Sequence, residues 1–304
     1  MLKVEPILDI IETTLWSGKL ANEKPLSIML IASVGDGKSE MLRKAYKAPK
    51  ITTEWIALLD KNGEPIVGKD NKPKMVREQE VEHIGSVLYT TDTTPFVLHH
   101  RYGNLLTSGQ IKHIVIPDFL SILTKSRDTM PDTIRFYNCL IEEGIIRIES
   151  RFSDFIVEKP VQIGLITAVS KQDYDTRSQA QGWGALGFVS RILPVSYSYS
   201  LASKKTILTS VFLREYHNET SFKLDLPTQP VDVELPKEFL SAVTNLAYKI
   251  KDATDALGAR RLKQVMTFLM AIALKNGRDI VKKEDIDKVI EYQKFFNSDC
   301  KVEL

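Results

Sequence analysis

The sequence predicts an α/β fold, a parallel sheet with flanking helices followed by an all-α C-terminal lid. Three observations predict it. Leu26 to Ile31 is a short, nearly continuous apolar run, as in a strand buried on both faces, and it leads through a glycine-bearing turn into a helix. Similar runs recur, with connections long enough to hold helices, as parallel neighbours require. After about Ser203 the pattern changes to a proline-marked linker and then to helical periodicity alone.

The elements follow in order. Ile7, Leu8, Ile10, Ile11 and Leu15 have helical spacing over 7–16, and Ser17-Gly18-Lys19 ends that helix. The first strand, 26–31, is followed by a helix from Ser39 to about Lys47. Residues 50–82 read as an insertion. Its apolar runs Trp55–Leu59 and Ile66-Val67 flank Asp60-Lys61-Asn62-Gly63, and Asn-Gly suits the paired positive φ angles of a type I′ hairpin turn. Core strands follow at Val87–Thr90, Ile114–Ile116, Val161–Val169 and Leu193–Tyr199. Between the second and third of these, 133–143 reads as a helix stopped by Gly144, and Ile145 to Phe155 as a hairpin arm. Pro227, Pro230 and Pro236 mark the linker, and helices are expected at about 237–251, 257–275 and 283–296. The chain thus divides into an α/β core at 1–203 and a linker with helical lid at 204–304.

Composition excludes several classes. Hydrophobic residues at 43% and charged residues at 26% suit a packed core and argue against long disorder. Lysine and arginine number 41 against 39 acidic residues, so total charge gives no pointer to a nucleic acid, and a basic face would have to be local. The two cysteines, Cys139 and Cys300, are far apart and stand in no ligand spacing, which suits a reduced, cytoplasmic protein. The opening residues carry acids and a proline and do not read as a signal peptide. No run approaches the ~20 apolar residues of a membrane span, so no membrane partner is expected.

The chemistry centres on Ala32-Ser33-Val34-Gly35-Asp36-Gly37-Lys38-Ser39. This is the Walker A pattern with Ala32 in place of the first glycine, set between an apolar strand and a helix. Gly35 and Gly37, with Asp36 between them, let backbone N–H groups turn inward around phosphates, and the helix N-terminus adds partial positive charge. Lys38 can reach the β- and γ-phosphates and the Ser39 hydroxyl can ligate Mg²⁺.

Further motifs stand in the order used by AAA+ ATPases. Ile114-Val115-Ile116-Pro117-Asp118 resembles a Walker B strand. Leu140–Ile148 resembles the helix and hairpin that the MoxR and MCM branches place before sensor 1. The resemblance covers about 5–45 and 84–296. It implies a P-loop parallel sheet with flanking helices (an AAA+ core) plus the all-α lid, binding ATP and Mg²⁺. It implies Asp118 and Ser39 on the metal, and Ser170 as sensor 1 with Thr167 in reserve. It makes Arg191, in Gly187–Leu193, the arginine finger, and Arg260, with Arg261 as alternative, sensor 2. Beside these roles stand plainer readings: Arg191 as a loop arginine, and Arg260-Arg261 with Lys263 as the solvent face of a helix.

This sequence departs from the pattern at Phe119, where the family carries a catalytic glutamate after the Walker B aspartate. Asp92, at the end of the neighbouring strand, is the candidate replacement, against a plain turn or capping role. The insertion at 50–82 is the second departure. Other groups are weighed and set aside. His99-His100 lacks a third ligand at suitable spacing. Glu142-Glu143 are adjacent on a helix and point about 100° apart, as on a solvated face. Tyr197 and Tyr199 read as sheet residues. Trp183, between Gly182 and Gly184, suits a subunit contact.

The expectation is an oligomeric AAA+ ATPase, a ring or filament of identical chains, that remodels or loads onto DNA in a phage or mobile-element type of replication. Arg147, Arg151 and Lys159 would give the hairpin positive charge for phosphate contacts. A MoxR-like chaperone acting on a protein client is the first alternative. An ATP-bound switch that scarcely hydrolyses is the second.

Overall fold

The structure, a computed structural model, describes residues 4–61, 63–68, 72–124, 129–150, 153–180, 187–214, 221–250 and 258–304. The chain forms two compact units, Met1–Tyr46 with Ser86–Leu304, and Lys47–Gly85.

The larger unit begins with α1 (Glu5–Trp16), whose Ile7, Ile10, Ile11 and Leu15 are buried at the predicted spacing. Next come β1 (Ile28–Ala32), buried at every position, and a short α2 (Lys38–Arg43). The smaller unit holds β2 (Lys50–Ala57) and β3 (Met75–Glu82). The larger unit resumes with β4 (Val87–Tyr89), α3 (Pro95–Thr107), β5 (His113–Ile116), α4 (Leu120–Leu123) and α5 (Thr129–Asn138). After a π-helical turn at Cys139–Glu143, β6 (Ile145–Ser150) and β7 (Ser153–Val161) make an antiparallel hairpin. Then follow β8 (Gly164–Ser170), α6 (Lys171–Ala180), α7 (Phe188–Arg191), β9 (Leu193–Ser196) and α8 (Leu201–Phe212). The last helices are α9 (Leu240–Ile250), α10 (Ala259–Lys275) and α11 (Lys283–Tyr292).

The central sheet has five strands in the order β4-β5-β8-β1-β9, and every pairing is parallel. Alternation along β1 explains its apolar run. Ile28, Leu30 and Ala32 face one hydrophobic layer, Met29 and Ile31 the other. The first layer is closed by α1, α10 and α11, the second by α3, α5 and Phe188 of α7. Connections leaving β1 and β8 run in opposite directions across the sheet, so the crevice where ligands gather in open α/β sheets lies at the carboxyl ends of these two strands.

The fold class is as expected: an α/β molecule with a parallel sheet, flanking helices and C-terminal helices. The expected division at 203/204 is not where the chain separates. Val265, Phe268, Leu269 and Ile272 of α10 share one hydrophobic layer with α1 and β1, so the C-terminal helices belong to the larger unit. α8 straddles that position and was not anticipated. None of its residues is buried, so no apolar period marks it. The end of the chain pairs beyond β9, where Leu304 N donates to Ser198 O at 2.8 Å. Among the described residues no helix is long and apolar enough to cross a membrane.

The smaller unit coincides with the expected insertion. Its strands run antiparallel from the Lys50–Glu82 pair to the Ala57–Met75 pair. Gly63 has φ +84°, and its N–H donates to Asp60 O at 3.1 Å while Asp60 N donates to Glu64 O at 2.8 Å. Gly63 therefore closes the turn at its last position, as in a glycine bulge, and is not half of a central type I′ pair; Asn62 lies outside the described residues. Trp55 is 65% exposed.

Candidate functional site

The site is built where β1 ends. Gly35 and Gly37 have φ +84° and +74°, a backbone region that costs other residues steric strain, and between them the turn reverses into α2. Asp36, nearly buried, keeps the turn closed through its backbone. Its N–H donates to Ser33 O at 3.3 Å, and its carbonyl accepts from the Tyr197 hydroxyl at 2.9 Å. Tyr197 is fully buried, and burial pushes its phenol pKa up, which keeps it a donor. This brace was missed in the sequence, where Tyr197 reads only as a sheet residue.

Lys38 folds back over the turn and donates to Ala32 O at 3.0 Å and Ser33 O at 2.7 Å. Burial pulls its pKa below the ordinary lysine value, opposed by the charges of Asp36, Asp118 and Asp173. A partly desolvated ammonium with its partners on loop carbonyls is ready to exchange them for an anion.

Ser39 donates to Pro117 O at 3.4 Å, which brings its hydroxyl beside the residue preceding Asp118. The Asp118 carboxylate accepts from Leu120 N at 2.9 Å and so caps the turn leading into α4. One hydroxyl and one carboxylate are the usual protein share of a Mg²⁺ site whose other ligands are phosphates and water. Among the described residues no three His, Cys, Asp or Glu side chains gather as a metal-holding group.

Ser170 lies directly across from Ala32 in the β1–β8 register. Its hydroxyl donates to Asp173 at 2.6 Å and accepts from Asp173 N at 3.0 Å, so it is the N-cap of α6. Thr167, the reserve, is buried and donates to Ile116 O at 2.7 Å. Asp173 is the acidic residue that sequence reasoning missed. The Ser170 hydrogen bond, with help from Arg177, holds its pKa below the usual carboxylate range, and its charge reaches Lys38. The Ser-x-x-Asp spacing of a capped helix start was the available signal.

Asp92 is exposed just past β4, the edge strand, three strands from β1 or about 14 Å at ordinary spacing. The carbonyl of its neighbour Thr91 accepts from the Ser121 hydroxyl that also bonds Asp118 O, so Asp92 stands nearer the Asp118 turn than the glycine turn. Phe119 is completely buried, its ring stacked on Phe188 with centroids 5.2 Å apart. The position after Asp118 therefore faces the core.

Arg191 and Arg260 stand together at the opposite edge of the sheet. Arg191 precedes β9, and Leu193 N donates to Ser27 O ahead of β1. The length of β1, five residues or about 16 Å, separates this edge from the loop. Arg191 pairs with Glu143 at 3.0 Å, and Arg260 donates to Ser190 Oγ at 3.0 Å. Lys24, paired with Glu142 at 3.0 Å, joins both arginines around a cavity of about 270 Å³. Arg260 thus does not face this chain's own Ala32–Ser39 loop, as a sensor 2 role in the same subunit would require. Arg261, the alternative, is fully buried.

Beside Gly35 and Gly37 lies a second cavity of about 150 Å³, lined by Val4, Leu8, Met41, Tyr199 and Ile207 and by the charged Glu40 and Lys44. Arg151 of the hairpin and Trp183 lie outside the described residues; Arg147 and Lys159 are exposed. No protein-family model and no curated protein matches this chain.

Proposed function

We propose that this chain binds ATP with Mg²⁺ at the Ala32–Ser39 loop and hydrolyses it as part of a ring or filament of identical chains acting on DNA. The observation that carries the reading is the convergence at one crevice of the Gly35–Gly37 turn, the partly desolvated Lys38, and Ser39 beside Asp118. Lys38 would hold the β- and γ-phosphates. Ser39 and Asp118 would hold the metal, which neutralises phosphate charge when bound. The cavity beside the turn, apolar on its Val4, Leu8, Met41 and Ile207 walls and polar at Glu40 and Lys44, would take a nucleoside base. Arg191 and its own loop lie at opposite edges of the sheet, so Arg191 would act on the nucleotide of a second copy. Arg147 and Lys159 on the exposed hairpin would meet DNA phosphates.

One observation favours a second reading, an ATP-bound switch that scarcely turns over: the place after Asp118 is filled by a buried phenylalanine. Titration with a fluorescent ATP analogue, followed by phosphate release with and without DNA, tests both. Binding lost in Lys38→Ala supports the site. Equal affinity in a folded Lys38→Ala would sink it. Binding without any phosphate release favours the switch.

A further inference from the structure

Arg191 ends a helix of four residues, too short to fix its own orientation. Something else must hold it, and α10 does. Three side chains from the first turns of α10 reach three consecutive residues of the Arg191 segment. Arg260 donates to Ser190 Oγ at 3.0 Å. Gln264 Nε2 donates to Arg191 O at 2.9 Å. Arg261 donates to Ile192 O at 3.4 Å and to Gln264 Oε1 at 2.6 Å, which fixes the Gln264 amide with its NH₂ towards Arg191. Arg261 is fully buried, and its Nη1 makes both of these bonds, to Ile192 O and to Gln264 Oε1. On the other side Gly187, at φ +67°, starts the helix and accepts from Arg191 Nη1 at 2.8 Å.

We infer that Gln264 and Arg261 are positioning residues for Arg191. They set the backbone that carries the Arg191 side chain. Its guanidinium is turned onto Gly187 O and Glu143 with the side chain 12% exposed, so serving a neighbouring copy requires it to exchange those two partners. The C-terminal helical layer, through α10, therefore fixes how each chain serves the site of the next. This inference rests on the reading of Arg191 as acting on a second copy. The contacts fall on backbone carbonyls, so their loss moves the origin of the Arg191 side chain and leaves its chemistry intact. A displacement of about 1 Å at a reacting group costs on the order of 10²-fold in rate.

The test uses Gln264→Glu, which keeps the acceptor for Arg261 but turns the donor facing Arg191 O into an acceptor. Gln264→Met, of similar volume, guards against a local packing artefact. The expected result is a fall in kcat of about 10²-fold with the KM for ATP within about two-fold of wild type. Mixing either variant with Lys38→Ala restores turnover, because the Lys38→Ala copy supplies a correctly held Arg191. Arg191→Ala, alone and in the same mixture, is the control. Wild-type turnover in both folded Gln264 variants, with Arg191→Ala dead and rescued by mixing, overturns the inference and leaves the parent reading standing. Slow Gln264 variants that mixing does not rescue also overturn it, since the defect then lies in their own site. Full turnover in Arg191→Ala, or none in the wild type, removes the parent reading and this inference together.

Discussion

At Phe119 side-chain environment decides between two chemistries. A glutamate there would complete the expected Walker B pair, but the position is fully buried and stacked on Phe188. Phe119→Glu should therefore not raise turnover. It should lower unfolding free energy by more than about 3 kcal/mol, from lost aromatic packing plus a carboxylate without solvent. Denaturant titration measures this, and a stable, faster Phe119→Glu would show that the ring can leave the core. The candidate acid passes to Asp173. Asp173→Asn is expected to cut phosphate release at least ten-fold. Asp92→Asn, out on the edge strand, should leave it unchanged; the reverse pattern would return the role to Asp92. His113 supplies a pH prediction. It is wholly buried, and burial pushes its pKa from 6.5 to about 3. The unfolded imidazole takes a proton near pH 6.5 while the folded one stays neutral, so stability is whole above that pH and falls as pH drops towards 3. The slope is about 1.4 kcal/mol per pH unit, or about 2 kcal/mol between pH 6.5 and 5. His113→Asn should flatten the stability difference between pH 7 and pH 5, whatever its effect at pH 7. An unchanged difference would mean another group carries the acid sensitivity.

At the scale of elements, what was legible followed from local pattern. The buried strands announce themselves because both faces of a parallel sheet are covered, and β1 needs no alternation to be seen. The Ala32–Ser39 turn is legible for the same reason, being one contiguous turn with its glycines in sequence. What depended on distant neighbours was not legible. The charge of Asp173 reaches Lys38 only because β8 pairs with β1, and Phe119 is core only because α7 lies against it. The polar α6 has no apolar stripe, and only its capping residues betray it. The β6–β7 hairpin was expected and is present, with Arg147 and Lys159 exposed on its two strands. If it touches duplex DNA, each phosphate contact contributes about 0.9 to the slope of log affinity against log salt. Arg147→Gln with Lys159→Gln should lower that slope by about 1.8 while ATP binding is unaffected. The same slope in wild type and variant would take the hairpin out of the DNA interface.

At the scale of the whole molecule the roles proposed for the Ala32–Ser39 loop and for Arg191 would together require an assembly. The Ala32–Ser39 loop lies at the carboxyl edge and Arg191 at the amino edge, about 16 Å apart along β1. A two-fold dimer would have to bring both edges into one interface, whereas head-to-tail contact uses one edge of each copy and continues into a ring or filament. Two consequences are measurable. Turnover per chain should rise with protein concentration and collapse on dilution, since an isolated chain has a loop without a finger. Equal amounts of Lys38→Ala and Arg191→Ala, each inactive alone, should together recover activity. An interface works only where an Arg191→Ala copy holds ATP and a Lys38→Ala copy supplies the arginine. Random mixing places that combination at about a quarter of the interfaces, so about a quarter of wild-type turnover is expected if interfaces act independently. Recovery far below that level means that neighbouring sites fire together, because a lone working interface among dead ones is then silent. No recovery at any ratio, with both variants folded and Arg191→Ala still binding ATP, would show that Arg191 serves its own chain or none.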